Sequence, residues 1–253
     1  MKHGAWCLLL VMFGSLAQAA AESDPLLDGA TSSASEVRGV LRARSQAVLA
    51  SELAGRVVDM PFAEGQSFNK GDVLVRFDCS AYQAQQNAAG AAVRAAREEL
   101  RNKQQLAALN SVGRFEVTLA EARQAQAQAE AQVYQVQVQR CQVKAPFDGQ
   151  VVARKVQAHE SVANGAPLLE IVDNRSLEVH LLVPSRWLGK LKPEQTFSFV
   201  PDETGAPLEA VVKRLGARID EGSQTLLLIA TLPANSRGLL AGMSGTAHFA
   251  TQP

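Results

Sequence analysis

The chain has 253 residues with 25 basic and 25 acidic side chains, so its formal charge is zero, and no basic cluster offsets that balance. This excludes electrostatic nucleic-acid binding, and an aromatic content of 5% leaves no base-stacking platform. With 47% hydrophobic residues there is material for one or two modest cores.

The first element is not part of the fold. Lys2 and His3 precede the apolar run AWCLLLVMF, and the small residues at Ala17, Ala19 and Ala21 fit an A-x-A cleavage pattern. That run falls short of the roughly 20 residues a membrane-spanning helix needs. Residues 1–21 therefore read as a cleavable export signal, and 22–36, rich in Ser, Ala, Asp and Gly, as a flexible leader. Cys7 is removed with the signal. Cys79 and Cys141 remain, and an even count in an exported chain favours a disulfide over two buried thiols that never meet.

Residues 37–48 read as an N-terminal strand. Val57 and Val58 then open a strand, EGQSFNKGD supplies turn chemistry at Gly65 and Gly71, and VLVRF closes the segment as a second strand. From Ser80, a plausible N-cap, the texture becomes helical, rich in Ala, Gln, Glu and Arg and free of proline. Ala89, Val93, Ala96 and Leu100 recur at coiled-coil spacing. A break at NSVGR precedes a second helical run, in which Leu119, Ala122, Gln126, Ala129, Val133 and Val136 show the same spacing. Two helices of similar length joined by a short polar break predict an antiparallel hairpin, each arm about 40 Å long. Its alanine-rich seam buries little apolar area, and no third helix is available to pack on it.

The segment after the hairpin repeats the segment before it. At an offset of 94, Gly55, Val57, Val58, Ser67, Gly71 and Leu74 meet Gly149, Val151, Val152, Ser161, Gly165 and Leu168. Two half-domains of like shape are expected to pack face to face as a β-sandwich. The end of the first half and the start of the second must then lie close in space, and an antiparallel hairpin leaves and returns to one point. Downstream, LEVHLLV places Leu177, Val179, Leu181 and Val183 on one face, PSRWLGKLKPEQ reads as a short helix closed by a turn, and further strand signals suit a small six-stranded barrel.

APFDGQVV at 145–152, AGRVV and EGQSFNKGDVLVRFD within 54–78, and LLAGMSGTAHF at 239–249 resemble the periplasmic adaptor, or membrane fusion, proteins of the HlyD/RND-efflux type. The resemblance runs from about residue 37 to 250. It implies a mainly β fold: a barrel-sandwich (lipoyl-like) hybrid split by an antiparallel α-helical coiled-coil hairpin, followed by a small β-barrel. The implied divisions are 37–48 joining the barrel, 49–78 and 142–173 as the lipoyl-like halves, 79–141 as the hairpin and 174–250 as the barrel. The implied role is non-enzymatic and needs no cofactor. It is a periplasmic subunit, peripherally associated with the inner membrane, that links an inner-membrane transporter of RND or ABC type to a TolC-like outer-membrane channel. The implied assembly is a homo-oligomer, a hexamer in the family.

Three features depart from the family pattern. The chain stops at Pro253, just after the last barrel strand, and so reads as a short form lacking the membrane-proximal domain. The hairpin is short. At its tip the family carries an Arg–Leu–Ser pattern; here Arg101 and Leu106 stand for the first two, Gly113 occupies the serine position, and Ser111 lies two residues away. With Arg114 these form the expected partner-binding tip. The implied fold also brings the helix roots together, so a Cys79–Cys141 bridge is expected to clamp the hairpin base. Such a bridge needs Cα atoms about 4.4–6.8 Å apart. It would close a loop of roughly 60 residues, worth on the order of 4 kcal/mol in the chain-entropy model.

Other chemistries fit less well. A carrier of lipoate or biotin presents its lysine at the turn between the halves, where this chain has the hairpin. His159, His180, His248, Met60 and Met243 are too dispersed to read as a metal site. No nucleophile elbow, H-E-x-x-H or P-loop motif occurs, and Asp148 of APFDG reads as a turn-former. A scaffold of an envelope-assembly machine that transports nothing is the alternative reading.

Overall fold

The computed structural model describes residues 36–233 and 238–249. The expected export signal (1–21) and the leader up to residue 35 lie outside the described residues. The first half contains β1 (Glu36–Ala43), β2 (Gln46–Ala50), β3 (Gly55–Asp59), β4 (Ser67–Phe68) and β5 (Val73–Phe77). Helices α1 (Ser80–Ala108) and α2 (Arg114–Gln139) follow, then β6 (Gln142–Lys144), β7 (Gly149–Arg154), β8 (Ser161–Val162) and β9 (Pro167–Val172). The remainder forms β10 (Leu177–Pro184), a 3-10 turn (Ser185–Trp187), β11 (Thr196–Pro201), β12 (Leu208–Asp220), β13 (Thr225–Thr231) and β14 (Ser244–His248).

The chain is mainly β, a barrel-sandwich hybrid split by an α-helical hairpin. The barrel is closed in the order β1-β10-β13-β12-β11-β14, so five strands from the C-terminal part take their sixth from the N-terminal end. Alternation in β10 sends Val179, Leu181 and Val183 into a core with Leu41, Phe199 and Leu228, all fully or almost fully buried. At roughly 1.5–3 kcal/mol for each such side chain, this burial is the main force closing the barrel. Trp187 meets Phe249 edge-on at 5.5 Å, and Phe249 stacks on Phe197 at 4.7 Å.

Two boundaries differ from expectation. Glu36 already belongs to β1, where it faces His248, rather than to the leader. Residues 46–48, expected in the barrel, lie in β2, which pairs with β9 of the sandwich from Gln46↔Val172 onward. The changeover is at Arg44–Ser45, after the last barrel pair, Ala43↔Leu177. No Gly or Pro punctuates this point, which is why the strand reads as continuous.

The sandwich halves do not simply pack face to face. One sheet is β2-β9-β7-β4 and the other β6-β5-β3-β8. The repeat pairs β3 with β7, β4 with β8 and β5 with β9, and each half lends its short strand to the other half's sheet: β4 pairs with β7, and β8 with β3. Neither half can complete a sheet alone. Gly71 and Gly165 occupy the same left-handed turn position (φ 90° and 84°), which a Cβ would strain.

The sandwich and barrel are joined at two adjacent crossings. Asp173 N–H donates to the Ser45 carbonyl (2.9 Å), and Arg44 N–H to that of Ser176 (2.8 Å). Beside them Asn174 donates to Gln150 of the sandwich (2.9 Å) and accepts from Ala241 N–H of the barrel (3.0 Å). Asp148 accepts from Lys70 N–H and from Arg175 (3.1 Å), and these contacts hold its carboxyl below the usual range. It thereby joins both sandwich halves to the domain junction.

Candidate functional site: the helical hairpin

The hairpin is built from three parts: a root, a shaft and a tip. At the root, Cys79 and Cys141 form a disulfide with Cα atoms 6.0 Å apart and 62 positions apart in sequence. Cys79 is the residue before α1, and its side chain makes no cap. Ser80, expected as the N-cap, is the first helical residue and the N-cap position falls on Cys79; Asp78, one residue further out, accepts from Ser80 N–H (3.1 Å) and Oγ (2.8 Å). Those two bonds, and then Arg56 at 3.0 Å, lower the Asp78 pKa. Tyr82 Oη donates to the Ala54 carbonyl (3.1 Å), and Arg140 pairs with Glu52 (3.0 Å). Both arms are therefore tied to the first sandwich half.

Along the shaft, the helices of 29 and 26 residues pack chiefly on each other. In α1 the inward side chains include the expected Ala89, Val93, Ala96 and Leu100, all half-buried. In α2 the expected line is on the wrong face: Leu119, Ala122, Gln126, Ala129, Val133 and Val136 are all exposed. The inward line is Val117, Ala120, Gln124, Ala127, Ala131 and Tyr134, with only Ala120 fully buried. The rotation is fixed at the root by the disulfide and along the shaft by two rungs, Glu99–Arg123 and Lys103–Glu116, each 2.6 Å. Lys103 lowers the Glu116 pKa, by its hydrogen bond first and then by its charge. Solvent-exposed pairs of this kind add little to stability. With so little apolar burial, high helix propensity and the covalent root carry most of the shaft's stability.

At the tip, α1 ends in a Schellman turn. Ser111 N–H donates to the Leu106 carbonyl (2.8 Å), Asn110 N–H to that of Ala107 (3.0 Å), and Asn110 is left-handed (φ 54°). Gly113 is the N-cap of α2 in extended conformation, and Ser111 Oγ reaches back to the Leu109 carbonyl. Of the residues expected here, Arg101 faces outward in an ion pair with Glu98, and Leu106 is half-buried toward the seam. Ser111, Gly113 and Arg114 are exposed, and Arg114 makes no ion pair among the described residues. Two side chains escaped the sequence reading. Leu109 and Phe115, flanking the turn, are 73% and 77% exposed, more than any other large apolar side chain described. Their signal was an apolar residue on each side of the NSVGR break.

Elsewhere, His159, His180 and His248 lie in a sandwich loop and on two barrel strands, and among the described residues no group of three or more metal-ligating side chains converges. No helix of the described residues is long and apolar enough to cross a membrane.

A sheet sandwich interrupted by a helical arm defines a barrel-sandwich hybrid domain, here accompanied by a separate closed barrel. Residues 45–174 match the family model described as "RND MFP, barrel-sandwich hybrid domain", and the chain belongs to this membrane fusion protein family. It is similar to an uncharacterised protein of Haemophilus influenzae, 28% identical over 207 residues, covering 81% of this chain and 54% of that protein. It is also similar to the nodulation protein NolF of Rhizobium meliloti, 26% identical over 226 residues, with 83% and 61% covered. The chain thus spans a little over half the length of these curated relatives. Among solved structures, its fold is similar to that of a MacA–MexA chimera containing the Pseudomonas aeruginosa MexA α-hairpin domain. That match has a TM-score of 0.75 at 17% identity and covers 84% of this chain and 78% of that one.

Proposed function

We propose that this chain is a non-enzymatic periplasmic adaptor that links an inner-membrane transporter, of RND or ABC type, to a TolC-like outer-membrane channel for efflux or secretion. Several copies act together, with the hairpins as the arms that reach the channel. The observation that carries this reading is the tip. It holds the two most exposed large apolar side chains described, Leu109 and Phe115, with the unpaired cation Arg114 between them. An exposed apolar pair on a rigid, covalently clamped arm costs solubility and contributes nothing to either core, as expected of a docking point. Membership of the membrane fusion protein family supports the same assignment.

Co-purification from detergent-solubilised envelopes tests it. The tagged full chain is expected to retain both an inner-membrane transporter and an outer-membrane channel. Leu109→Glu combined with Phe115→Glu should lose the channel and keep the transporter. Retention of the channel by that variant would refute the tip assignment, and absence of any transporter would favour a scaffold that does not transport.

A further inference from the structure

The end of the barrel away from the sandwich is closed by a short cap whose charges lack partners. Residues 185–195 cross this end, and Ser185 N–H donates to the Gln224 carbonyl of the neighbouring β12–β13 turn (2.9 Å). Trp187 and Leu191 face inward and plug the barrel core, both buried. The residues around them face outward. Leu188 is 46% exposed, and Leu182, on the outer wall of β10 beside the cap, is 60% exposed. Arg186, Lys190 and Lys192 are exposed and make no ion pair among the described residues.

The acids at this end are engaged elsewhere. Glu194 pairs with Lys213 (3.5 Å), Glu221 with Arg218 (3.4 Å) and Glu36 with His248 (3.4 Å). Asp220 accepts from Ser223 N–H and Oγ, both at 2.8 Å, within its own turn. The cap is therefore a cationic rim around an exposed leucine, a composition that suits the headgroup layer of a bilayer. Two leucines cannot supply the about 800 Å² per partner that a stable protein contact buries. A lipid surface demands no such shape complementarity.

The position of the cap agrees with this chemistry. Strand β1 runs from Glu36 at the cap end to Ala43 at the junction with the sandwich. Strand β2 continues away from that junction, and the hairpin root is tied to Glu52 and Ala54 just beyond it. Cap and hairpin tip thus lie at opposite ends of the fold.

We propose that the cap is a membrane-docking surface for anionic phospholipid headgroups, with Leu188 inserted among them and Arg186, Lys190 and Lys192 on their phosphates. This rests on the adaptor reading for its setting, since a tip directed at the outer membrane leaves the cap to the inner one. A lysine or arginine near an anionic surface strengthens binding about fivefold, so three give roughly a hundredfold preference over a neutral surface. Several copies docked together strengthen the attachment further.

Vesicle flotation of the purified exported chain tests the proposal, with phosphatidylcholine vesicles that contain or lack phosphatidylglycerol. Binding to the anionic vesicles should need roughly a hundredfold less lipid, and high salt should erase the difference. Arg186→Gln/Lys190→Gln/Lys192→Gln should lose at least tenfold of that preference while keeping the same circular dichroism and melting midpoint. An environment-sensitive fluorophore on Leu188→Cys should shift to the blue on anionic vesicles, and one on Val48→Cys, exposed on the sandwich, should not. Equal binding to both vesicles, undiminished binding by the triple variant, or a blue shift at Val48→Cys instead would overturn the proposal. So would absence of vesicle binding in a chain that still co-purifies with transporter and channel, a result that leaves the adaptor reading standing. If the triple variant then lost the transporter, the cap would be a protein contact. Vesicle binding by a chain that retains neither transporter nor channel would support the cap while removing the adaptor reading.

Discussion

At the scale of single residues, the repeat explains positions that chemistry does not. Gly149 is held where a Cβ would come within 2.4 Å of the Val172 carbonyl oxygen, a backbone atom in the paired strand β9. Gly149→Ala is expected to cost about 1–3 kcal/mol, as overpacking does, measured by chemical denaturation. A Cβ at its repeat partner Gly55 would meet side chains alone, Leu53 at 3.1 Å and Phe77 at 3.5 Å, so Gly55→Ala should cost less. Gly65 and His159 are also repeat partners, and both are left-handed (φ 81° and 72°). Each donates its N–H at 2.8 Å across to the other half, Gly65 to Val151 and His159 to Val57. A left-handed non-glycine residue costs roughly 1–2 kcal/mol, and glycine adds roughly 0.5–1 kcal/mol of chain entropy. His159→Gly should therefore raise stability by up to about 1 kcal/mol, and a clear loss in the same denaturation assay would contradict that reading. Gly71 and Gly165 announced their turns in the sequence because glycine is the residue such turns select. His159 did not announce its turn by residue type alone; its signal was the repeat, which sets it opposite Gly65.

At the scale of elements, helix periodicity was legible but helix rotation was legible only in part. The first helix has one half-buried apolar line, and the expected seam is the observed one. The second has two lines at the same spacing, and periodicity cannot say which faces inward. The more apolar line, with Leu119, Val133 and Val136, lies outward, because the rungs Glu99–Arg123 and Lys103–Glu116 and the disulfide turn the alanine line toward α1. The two-residue strands β4 and β8 are too short to show a period, so their exchange between halves was not readable either. The covalent root makes a separate prediction. Cys79→Ser combined with Cys141→Ala, the alanine chosen because Cys141 is buried, should lower the unfolding free energy by about 2–4 kcal/mol. Circular dichroism should show the helical signal melting before the sheet cores. Simultaneous loss of helix and sheet, with no change in midpoint, would show that the bridge does not hold the arm.

At the scale of the molecule, the barrel, sandwich and hairpin have different sources of stability. The barrel and sandwich each close over their own buried core, whereas the hairpin stands on propensity, ion pairs and one covalent bond. An element that buries so little is retained for what it reaches. Its reach ends in Leu109, Arg114 and Phe115, of which the expected tip residues included Arg114 but neither apolar side chain. Docking of the tip on a channel is tested by photocrosslinking in intact cells from an unnatural residue at Phe115, with the captured protein identified by mass spectrometry. An outer-membrane channel is expected as the main product, lost on adding Leu109→Glu. Capture of periplasmic or inner-membrane proteins alone, with the fold intact, would contradict it.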